Sequence, residues 1–216
     1  MVKEAAFIID FQKRTFYSVG DNGLFLCGYI PEQVKNMGYQ FFEKVVHPDD
    51  MFLWTQMHRA IIKSLSEEKF IADEIRFFIC NFRFNSNLPF DNPPYYQMVD
   101  LILKPAWKCR QLKYGYCLLA DSGNLTPGNL RVYLGKKNYF REYKRFRWEH
   151  EQKIKISKRE RQIVVLEKQG LNRYEQAETL GITTNTVDNT KRHLIEKLTV
   201  QNFKQAIIYV KNHDLI

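Results

Sequence analysis

The sequence lacks the cysteine spacings that mark metal sites and disulfide frameworks. Its four cysteines, Cys27, Cys80, Cys109 and Cys117, contain no CxxC pair, and the five histidines lie far from them along the chain. No metal-ligand spacing results. We therefore predict no bound metal, and we interpret the cysteines as reduced thiols in the core, where free cysteine is usually buried.

Long apolar runs are also missing, which argues against a membrane-spanning segment. No uncharged apolar run approaches the roughly 18 residues that a transmembrane helix needs. The first residues, MVKEAAFIIDFQKR, place Glu4 and Asp10 where a secretory signal peptide would continue its apolar core. We expect a cytoplasmic protein that has no membrane partner.

The sequence has no recognisable catalytic pattern. It contains no Walker loop, no kinase signature, no phosphate-accepting receiver and no Ser/His/Asp arrangement that the spacing supports. His47 and Asp49 are close together in HPDD, but Pro and acids in that order favour the first turn of a helix. We predict that the protein is not an enzyme and that it binds no cofactor.

The chain is rich enough in apolar residues to form packed cores, and its charge is unevenly placed. Of 216 residues, 44% are apolar and 14% are aromatic. Residues 1–130 contain 14 basic and 14 acidic side chains, whereas residues 131–216 contain 19 and 10, so the net charge of +9 belongs to the carboxy-terminal part. This asymmetry is typical of a nucleic-acid-binding module joined to another domain, and a basic surface that only aids solubility is the alternative.

Residues 1–130 combine strand and helix patterns. Alternating apolar residues predict strands, a change of phase near Asn81 predicts a bulge, and apolar residues spaced three and four apart predict an amphipathic helix. Pro31 and Gly38 bound a shorter helix. The combination predicts an α+β domain with an antiparallel sheet. The candidate segments are FIIDF from Phe7, TFYSV from Thr15, the helix from Met51 to Leu65, and strands from Glu74, Tyr95 and Gln111.

Part of this region resembles a PAS sensor domain. The stretch LCGYIPEQV, then FFEKVVHPDD and the helix and strands that follow, carry the resemblance over roughly residues 6–122, with a departure from the family's tight turn at residues 85–94. The resemblance implies a sensing or dimerising domain whose effector is a small molecule or a protein. The Asn-Cys-Arg string of flavin photosensors is absent, and His58 is the one candidate for a haem ligand. The aromatic residues of the strands line an apolar pocket or form an ordinary core.

Residues 131–155 are dense in Lys, Arg and aromatic residues, and we interpret them as a linker between two domains. The sequence from Gly135 to Asn138 allows an extra hairpin. Rings placed between basic residues could stack on nucleic acid, although a linker that packs its rings on its neighbours is favoured.

Residues 156–216 contain the start and stop signals of four short helices. Gly170 and Gly181 follow the first two helices, where glycine adopts a left-handed conformation without steric cost. Three helix starts carry residue pairs with the spacing of a capping box. These pairs are Ser157 with Glu160, Asn172 with Glu175, and Asn202 with Gln205. The sequence therefore predicts a small all-α domain.

The third of these helices, within LGITTNTVDNTKRHLIEKL at residues 180–198, has a narrow apolar edge formed by Val187, Leu194 and Leu198. At about 100° per residue, its opposite side is polar. Asn, Asp and Arg side chains can pair with base edges in a major groove, and threonines at a helix start can cap it or contact phosphates. A merely solvated helix face is the alternative. The polar positions are Asn185, Asp188, Asn189, Arg192 and Glu196, preceded by Thr183, Thr184 and Thr186.

Residues 156–216 resemble the LuxR/GerE-type helix-turn-helix from end to end without a gap. The matching strings are ISKRE, QGL, AETLGI and TV. The resemblance implies that the second helix braces the third against the DNA backbone and that the third helix enters the groove. The implied base contacts are Asp188, Asn189 and Arg192, and Arg173, Tyr174 and Lys191 join the threonines as expected phosphate contacts.

Four positions depart from that family. Asp188 replaces a frequent Lys, Thr190 a His, Gln176 an Ile, and Thr199 the Gly of a helix-ending turn. Losing a Lys and gaining an Asp weakens the attraction to phosphate. We therefore expect binding to depend on a homodimer that forms through surplus apolar residues of the fourth helix. These residues are Ile207, Ile208 and Val210.

The leading hypothesis is a transcription regulator in which a PAS-like domain, residues 1–130, controls a LuxR-type domain, residues 156–216, that reads double-stranded DNA. The runner-up is a protein-interaction module whose helix-turn-helix no longer reads DNA, with Asp188 and Thr190 as its signs. A small-molecule-binding enzyme would need converging titratable groups in the first domain, and the sequence suggests none.

Overall fold

The computed structural model describes residues 4–66, 75–85, 94–108, 111–135 and 138–216. The chain divides into two compact units. We call Met1–Ser122 with Thr126–Lys153 the sheet unit, and Gly123–Leu125 with Ile154–Ile216 the helical unit.

The sheet unit contains nine strands and four α-helices among the residues that the structure describes. The helices are α1 (Gly23–Leu26), α2 (Pro31–Met37), α3 (Gln40–Val45) and α4 (Met51–Ser66). The strands are β1 (Glu4–Asp10), β2 (Thr15–Val19), β3 (Ile75–Asn85), β4 (Tyr96–Lys108), β5 (Gln111–Asp121), β6 (Leu130–Leu134), β7 (Tyr139–Lys144), β8 (Arg147–Trp148) and β9 (Gln152–Lys153).

All strand pairs in the sheet are antiparallel, in the order β2-β1-β5-β4-β3-β6-β7-β8, with β9 on β7. Apolar side chains of one sheet face and of the helices form a core in which aromatic rings are in contact. The Phe7 ring stacks on Phe25 at 4.1 Å between centroids, and Phe42 stacks on Trp54 at 4.9 Å. The predicted antiparallel sheet with accompanying helices is confirmed.

The predicted bulge near Asn81 is wrong. The pairing of β3 with β4 is regular from Phe78 to Asn85, and a register shift lies instead between Ile75 and Phe77, against β6. Residues on both faces of β3 are buried from Phe77 to Phe82, so the apolar pattern does not alternate and its change of phase carries no register information. Asn81 itself accepts a hydrogen bond from the backbone of residue 129.

The structure differs from the expected linker at residues 131–155. Residues 130–153 extend the sheet: β6 pairs with β3, and β6 and β7 form the hairpin that the sequence from Gly135 to Asn138 allows. The boundary between the two units falls between Lys153 and Ile154. Arg131 on β6 and Glu142 on β7 lie opposite each other and form an ion pair. Charged residues that made this segment look like a linker therefore pair with each other within the sheet.

Three cysteines behave as core thiols. Cys27, Cys80 and Cys117 are buried and free, and burial raises the pKa of Cys27 and of Cys80 to about 12. Cys109 and most of the unusual turn at residues 85–94 lie outside the described residues.

Within the described ranges no group of three or more His, Cys, Asp or Glu side chains could hold a metal ion, and no helix is long and apolar enough to cross a membrane.

The helical unit contains the four predicted helices. Their caps follow the sequence signals, since Ser157 and Glu160 form a reciprocal capping box, as do Asn172 and Glu175. Asn202 also caps its helix, but the Gln205 side chain accepts from residue 201. The helices are α5 (Lys158–Lys168), α6 (Arg173–Leu180), α7 (Thr184–Leu198) and α8 (Phe203–Asn212).

Helix α7 ends on a residue in a strained conformation. Thr199 has φ 56° and ψ 48°, the left-handed region, which is unfavourable for a β-branched side chain. We expect Thr199→Gly to raise the free energy of unfolding of the helical unit by about 1 kcal/mol, because the strain is removed. Hydrogen exchange of the α5–α8 amides measures the change.

Gly181→Ala, which replaces a glycine in the left-handed region by a residue with a Cβ, is the control in the same unit. Gly181, with φ 61°, ends α6, and a Cβ there meets no atom within 4 Å, so Gly181→Ala adds conformational strain alone. We expect that variant to lose about 1 kcal/mol. Equal exchange rates in Thr199→Gly and the wild-type chain would contradict the assigned strain.

Candidate DNA-binding surface

Helix α7 rests on the narrow apolar edge that its sequence predicts. Val187 and Leu194 are at most 1% exposed, and Leu198 is 7% exposed. Val187 packs with Ile163 and Ala177, which come from α5 and α6. Helices α5 and α6 thus pack on one side of α7 and leave its polar side exposed to solvent. We call the exposed or half-exposed side chains Asn185, Asp188, Asn189 and Arg192, together with Arg173 and Tyr174 of α6, the reading surface.

The threonines at the start of α7 are used for capping. The Thr183 hydroxyl accepts from the Thr186 amide at 3.2 Å and lies 2.9 Å from the Thr186 hydroxyl. Thr183 and Thr186 are exposed and Thr184 is half-buried. Capping therefore accounts for a threonine at position 183. A DNA phosphate that bound the Thr183 or Thr186 hydroxyl would bind a group that also takes part in the cap.

Arg173 connects α6 to the reading side of α7. Its Nη1 lies 3.4 Å from Oδ2 of Asp188, and its Nη2 donates to the Tyr174 hydroxyl at 2.9 Å. The guanidinium also lies 4.8 Å from the centre of the Tyr174 ring. The departure at Asp188 is thus matched by an arginine within reach.

The other two base-reading candidates contact each other. Nη2 of Arg192 donates to Oδ1 of Asn189 at 2.6 Å, one turn earlier on the same helix. Arg192 is exposed and Asn189 is half-buried. The structure therefore brings Asp188, Asn189 and Arg192 to one surface, with Asn185 exposed at its amino-terminal end.

Lys191 does not lie on the reading surface. Its Nζ is 2.5 Å from Oε2 of Glu167 on α5 and 5.0 Å from the centre of the Phe203 ring, and its side chain is only 18% exposed. The same carboxylate accepts from Nε2 of Gln176, which is fully buried and also donates to the Leu171 carbonyl. In this conformation Lys191 makes an internal ion pair, and its expected phosphate contact stays a prediction.

This arrangement changes what a substitution of Lys191 does. We expect Lys191→Met, which keeps the apolar stem against Phe203, to lower the free energy of unfolding by about 1 kcal/mol through loss of the pair. The slope of log K for duplex DNA against log salt stays unchanged, whereas loss of a phosphate contact lowers it by about 0.9. Fluorescence anisotropy across a salt series measures the slope, and a reduced slope would restore Lys191 to the phosphate contacts.

Glu160 of α5 forms an ion pair with the carboxy-terminal turn of α7. Its buried carboxylate pairs with Nζ of Lys197 in the last turn of α7 and accepts from the Ser157 amide at 2.7 Å. Burial raises the pKa of Glu160, but the hydrogen bonds from Lys197 and Ser157 and the Lys197 charge outweigh it, so the pKa lies below its usual value. The carboxylate stays charged and holds the helix.

The residues expected to form a dimer contact are mostly covered. Val210 is fully buried and Ile208 is 8% exposed, while Ile207 is half-buried. The backbone of Gly123 approaches this helix so closely that a Cβ there would lie 2.6 Å from the Gln205 carbonyl oxygen. In this conformation Val210 and Ile208 serve the core of the helical unit, which corrects their expected place at a dimer surface.

The sheet unit contains an apolar cavity of about 30 Å³. His58 projects from α4 into its lining, stacks on Trp54 and meets the Tyr39 ring edge-on. Its Nε2 is buried with no hydrogen-bond partner among the described residues. Burial lowers the pKa of His58, with the charge of Arg14 acting in the same direction, so the imidazole is held neutral. The other lining residues are Phe7, Ile9, Phe42, Ile61, Cys80, Leu101, Leu103 and Cys117.

Residues 155–210 match the family described as bacterial regulatory proteins, luxR family. The match covers about a quarter of the chain and includes α5, α6 and α7. These residues therefore form a LuxR-type helix-turn-helix domain. No curated protein has a significantly similar sequence.

Several solved structures show distant similarity. The Vibrio cholerae VqmA dimer in the absence of target DNA is 14% identical, with a TM-score of 0.35 over 98% of this chain and 83% of that chain. The VqmA complex with ligand and DNA is 12% identical, with a TM-score of 0.34 over 98% and 83%. An RNA-binding light-oxygen-voltage receptor is 10% identical, with a TM-score of 0.36 over 94% and 47%.

Proposed function

We propose that this protein is a transcription regulator whose helical unit inserts α7 into the major groove of double-stranded DNA, as a homodimer controlled by a PAS-like sheet unit. The observation that carries the proposal is the two-sided character of α7. Val187, Leu194 and Leu198 are buried, while Asn185, Asp188 and Arg192 are exposed, within residues that match a LuxR-type domain.

Side-chain chemistry supports readout of bases. Amide and guanidinium groups can donate and accept along base edges, and a helix fits the width of the major groove. Residues 154–216 contain 11 basic and 7 acidic side chains, and this surplus of four positive charges in the helical unit favours attraction to phosphate. A homodimer would supply a second reading surface, and Ile207 is the residue of the expected dimer contact that is still partly exposed.

The cavity of the sheet unit supports a sensing role. A cavity of 30 Å³ has room for about two water molecules, so a small effector would have to expand it. The apolar lining and the unpartnered Nε2 of His58 favour an effector with an apolar body and one hydrogen-bonding group. A protein effector that binds the outside of the sheet unit is the alternative.

Binding of the full chain to duplex DNA tests the proposal. We expect selection from a pool of genomic fragments to enrich a sequence, and binding to that sequence to fall steeply between about 50 and 200 mM salt. Arg192→Ala is expected to reduce the preference for the enriched sequence over random duplex by about 10-fold, because an arginine pair with guanine contributes about 1–3 kcal/mol.

Lys204→Ala is the matched control, because Lys204 is an exposed cation on α8 outside the reading surface. We expect it to leave sequence preference unchanged. The second candidate, an interaction module that no longer reads DNA, is favoured by Asp188 on the reading surface and by the internal pairing of Lys191. That function predicts no enriched sequence and no effect of Arg192→Ala.

A further inference from the structure

The reading surface contains two arginines, and each is held by an oxygen of a neighbouring side chain. Asp188 holds Arg173 across the gap between α6 and α7, and Asn189 holds Arg192 within α7. A free arginine side chain carries about 2 kcal/mol of rotamer entropy that is lost on binding. A side chain already held in place loses less of it, so these contacts prepare the guanidinium groups for a planar target.

The number of donors on Arg173 shows what it can still bind. A guanidinium has five N–H donors. Among its described contacts, one donor is directed to Asp188 and one to the Tyr174 hydroxyl. Three donors remain, which is enough for the two parallel hydrogen bonds that arginine makes with O6 and N7 of guanine. The Tyr174 ring supports the guanidinium from one face at 4.8 Å.

Asp188 is poorly suited to act alone on DNA. An acidic side chain near the phosphates is repelled, and it stands where the family has a frequent lysine. The Arg173 guanidinium offsets the negative charge of Asp188. The Asp188 carboxylate then orients the Arg173 guanidinium instead of accepting a hydrogen bond from a base. The pair joins one residue of α6 to one residue of α7.

We propose that Asp188 is a positioning residue for Arg173, and that Arg173 reads a guanine of the target instead of contacting a phosphate. This rests on the proposed DNA-binding function and deepens it. The expected base contact of Asp188 and the expected phosphate contact of Arg173 are thereby replaced by one guanine contact that Arg173 makes and Asp188 orients.

The test uses the full chain and the duplex that the wild-type protein selects. Each guanine of that duplex is replaced in turn by 7-deazaguanine, which lacks the N7 acceptor. Binding is measured for the wild type, Arg173→Ala, Asp188→Ala and the double variant. Glu178→Ala, which removes one exposed negative charge of α6, is the matched control for Asp188→Ala. Both side chains of the pair are about half exposed, so the variants remove no core residue.

At one guanine, we expect 7-deazaguanine to weaken wild-type binding by about 10-fold and to leave binding of Arg173→Ala unchanged. Asp188→Ala loses part of the same preference, and the double variant loses no more than Arg173→Ala alone. Glu178→Ala keeps the preference.

Three results would overturn the inference. If Arg173→Ala weakens binding to all duplexes equally and lowers the salt slope by about 0.9, Arg173 contacts a phosphate. If the losses of Asp188→Ala and Arg173→Ala add, Asp188 acts independently. Both results leave the proposed function intact, whereas a wild-type chain that selects no duplex removes that function and this inference together.

Discussion

Replacing Arg83 by alanine is expected to lower the free energy of unfolding of the sheet unit by about 3 kcal/mol or more, because it leaves a buried carboxylate unpaired. The Asp50 side chain is 2% exposed and accepts from Arg83 three times, from Nη2 at 2.5 Å, from the amide at 2.8 Å and from Nε at 3.0 Å. Urea unfolding followed by tryptophan fluorescence measures the change, since all three tryptophans precede residue 154.

The same substitution should reverse the pH dependence that Asp50 contributes. Burial raises the pKa of Asp50, but the hydrogen bonds and charge of Arg83, with the nearby His47, bring it below its usual value. Asp50 therefore stabilises the wild-type fold above the ordinary pKa of about 3.9, and this contribution is lost as the pH falls through the folded value. Without Arg83, burial dominates and the pKa rises above 3.9, so acidification from neutral pH toward that value should stabilise the variant.

Arg147→Ala is the matched control for this prediction. Arg147 is a 71% exposed arginine of the same unit, 3.4 Å from Glu149. Exposed pairs of this kind contribute about 0–1 kcal/mol, so we expect a small loss and no change in pH dependence. Equal losses of unfolding free energy in Arg83→Ala and Arg147→Ala would show that the Arg83–Asp50 pair does not stabilise the sheet unit.

Replacing Glu160 by alanine is expected to lower the free energy of unfolding of the helical unit by about 3 kcal/mol. The change removes the ion pair with Lys197 and the reciprocal cap with Ser157, and hydrogen bonds to a charged group contribute about 1.5–3 kcal/mol. The cap adds about 1 kcal/mol. Because α7 loses its link to α5, we also expect faster amide exchange in its last turns, measured by mass spectrometry.

Glu175→Ala separates capping from the ion pair. Glu175 occupies the same capping-box position at α6 and accepts from the Asn172 amide at 2.7 Å, but it is exposed. We expect a loss of about 1 kcal/mol.

The stabilisation that Glu160 contributes should depend on pH. In the wild-type chain it is lost as the pH falls below the ordinary Glu pKa of about 4.3 and through the lower pKa of the folded state, and Glu160→Ala should lack this pH-dependent loss of stability. An unchanged acid limb in Glu160→Ala would contradict the assignment.

The helical unit could be predicted from the sequence because its signals are local. Ser157 and Glu160 cap α5 three residues apart, Gly181 ends α6, and the spacing of Val187, Leu194 and Leu198 gives the buried side of α7. Such signals need no knowledge of distant residues. The same holds for the hairpin β1–β2 and for helix α4.

The parts that sequence reasoning missed depend on distant partners. Residues 130–153 resemble a linker in composition, and only their pairing with β3 makes them strands. The ion pair of Lys191 with Glu167, 24 residues earlier in the sequence, was also not predicted. The departure at Gln176 could have signalled this pair, since a buried amide in an apolar position needs polar partners.

Protection of guanine N7 from dimethyl sulfate, in a duplex that the full chain selects, is the most direct test of whether α7 enters the major groove. N7 lies in the major groove, where the reading surface with Arg192 is placed by the proposed function. Insertion of α7 into the groove predicts protected guanines, and the guanine that Arg192 contacts becomes reactive again in Arg192→Ala. Binding without any N7 protection, or no binding to duplex DNA even at about 50 mM salt, would contradict it.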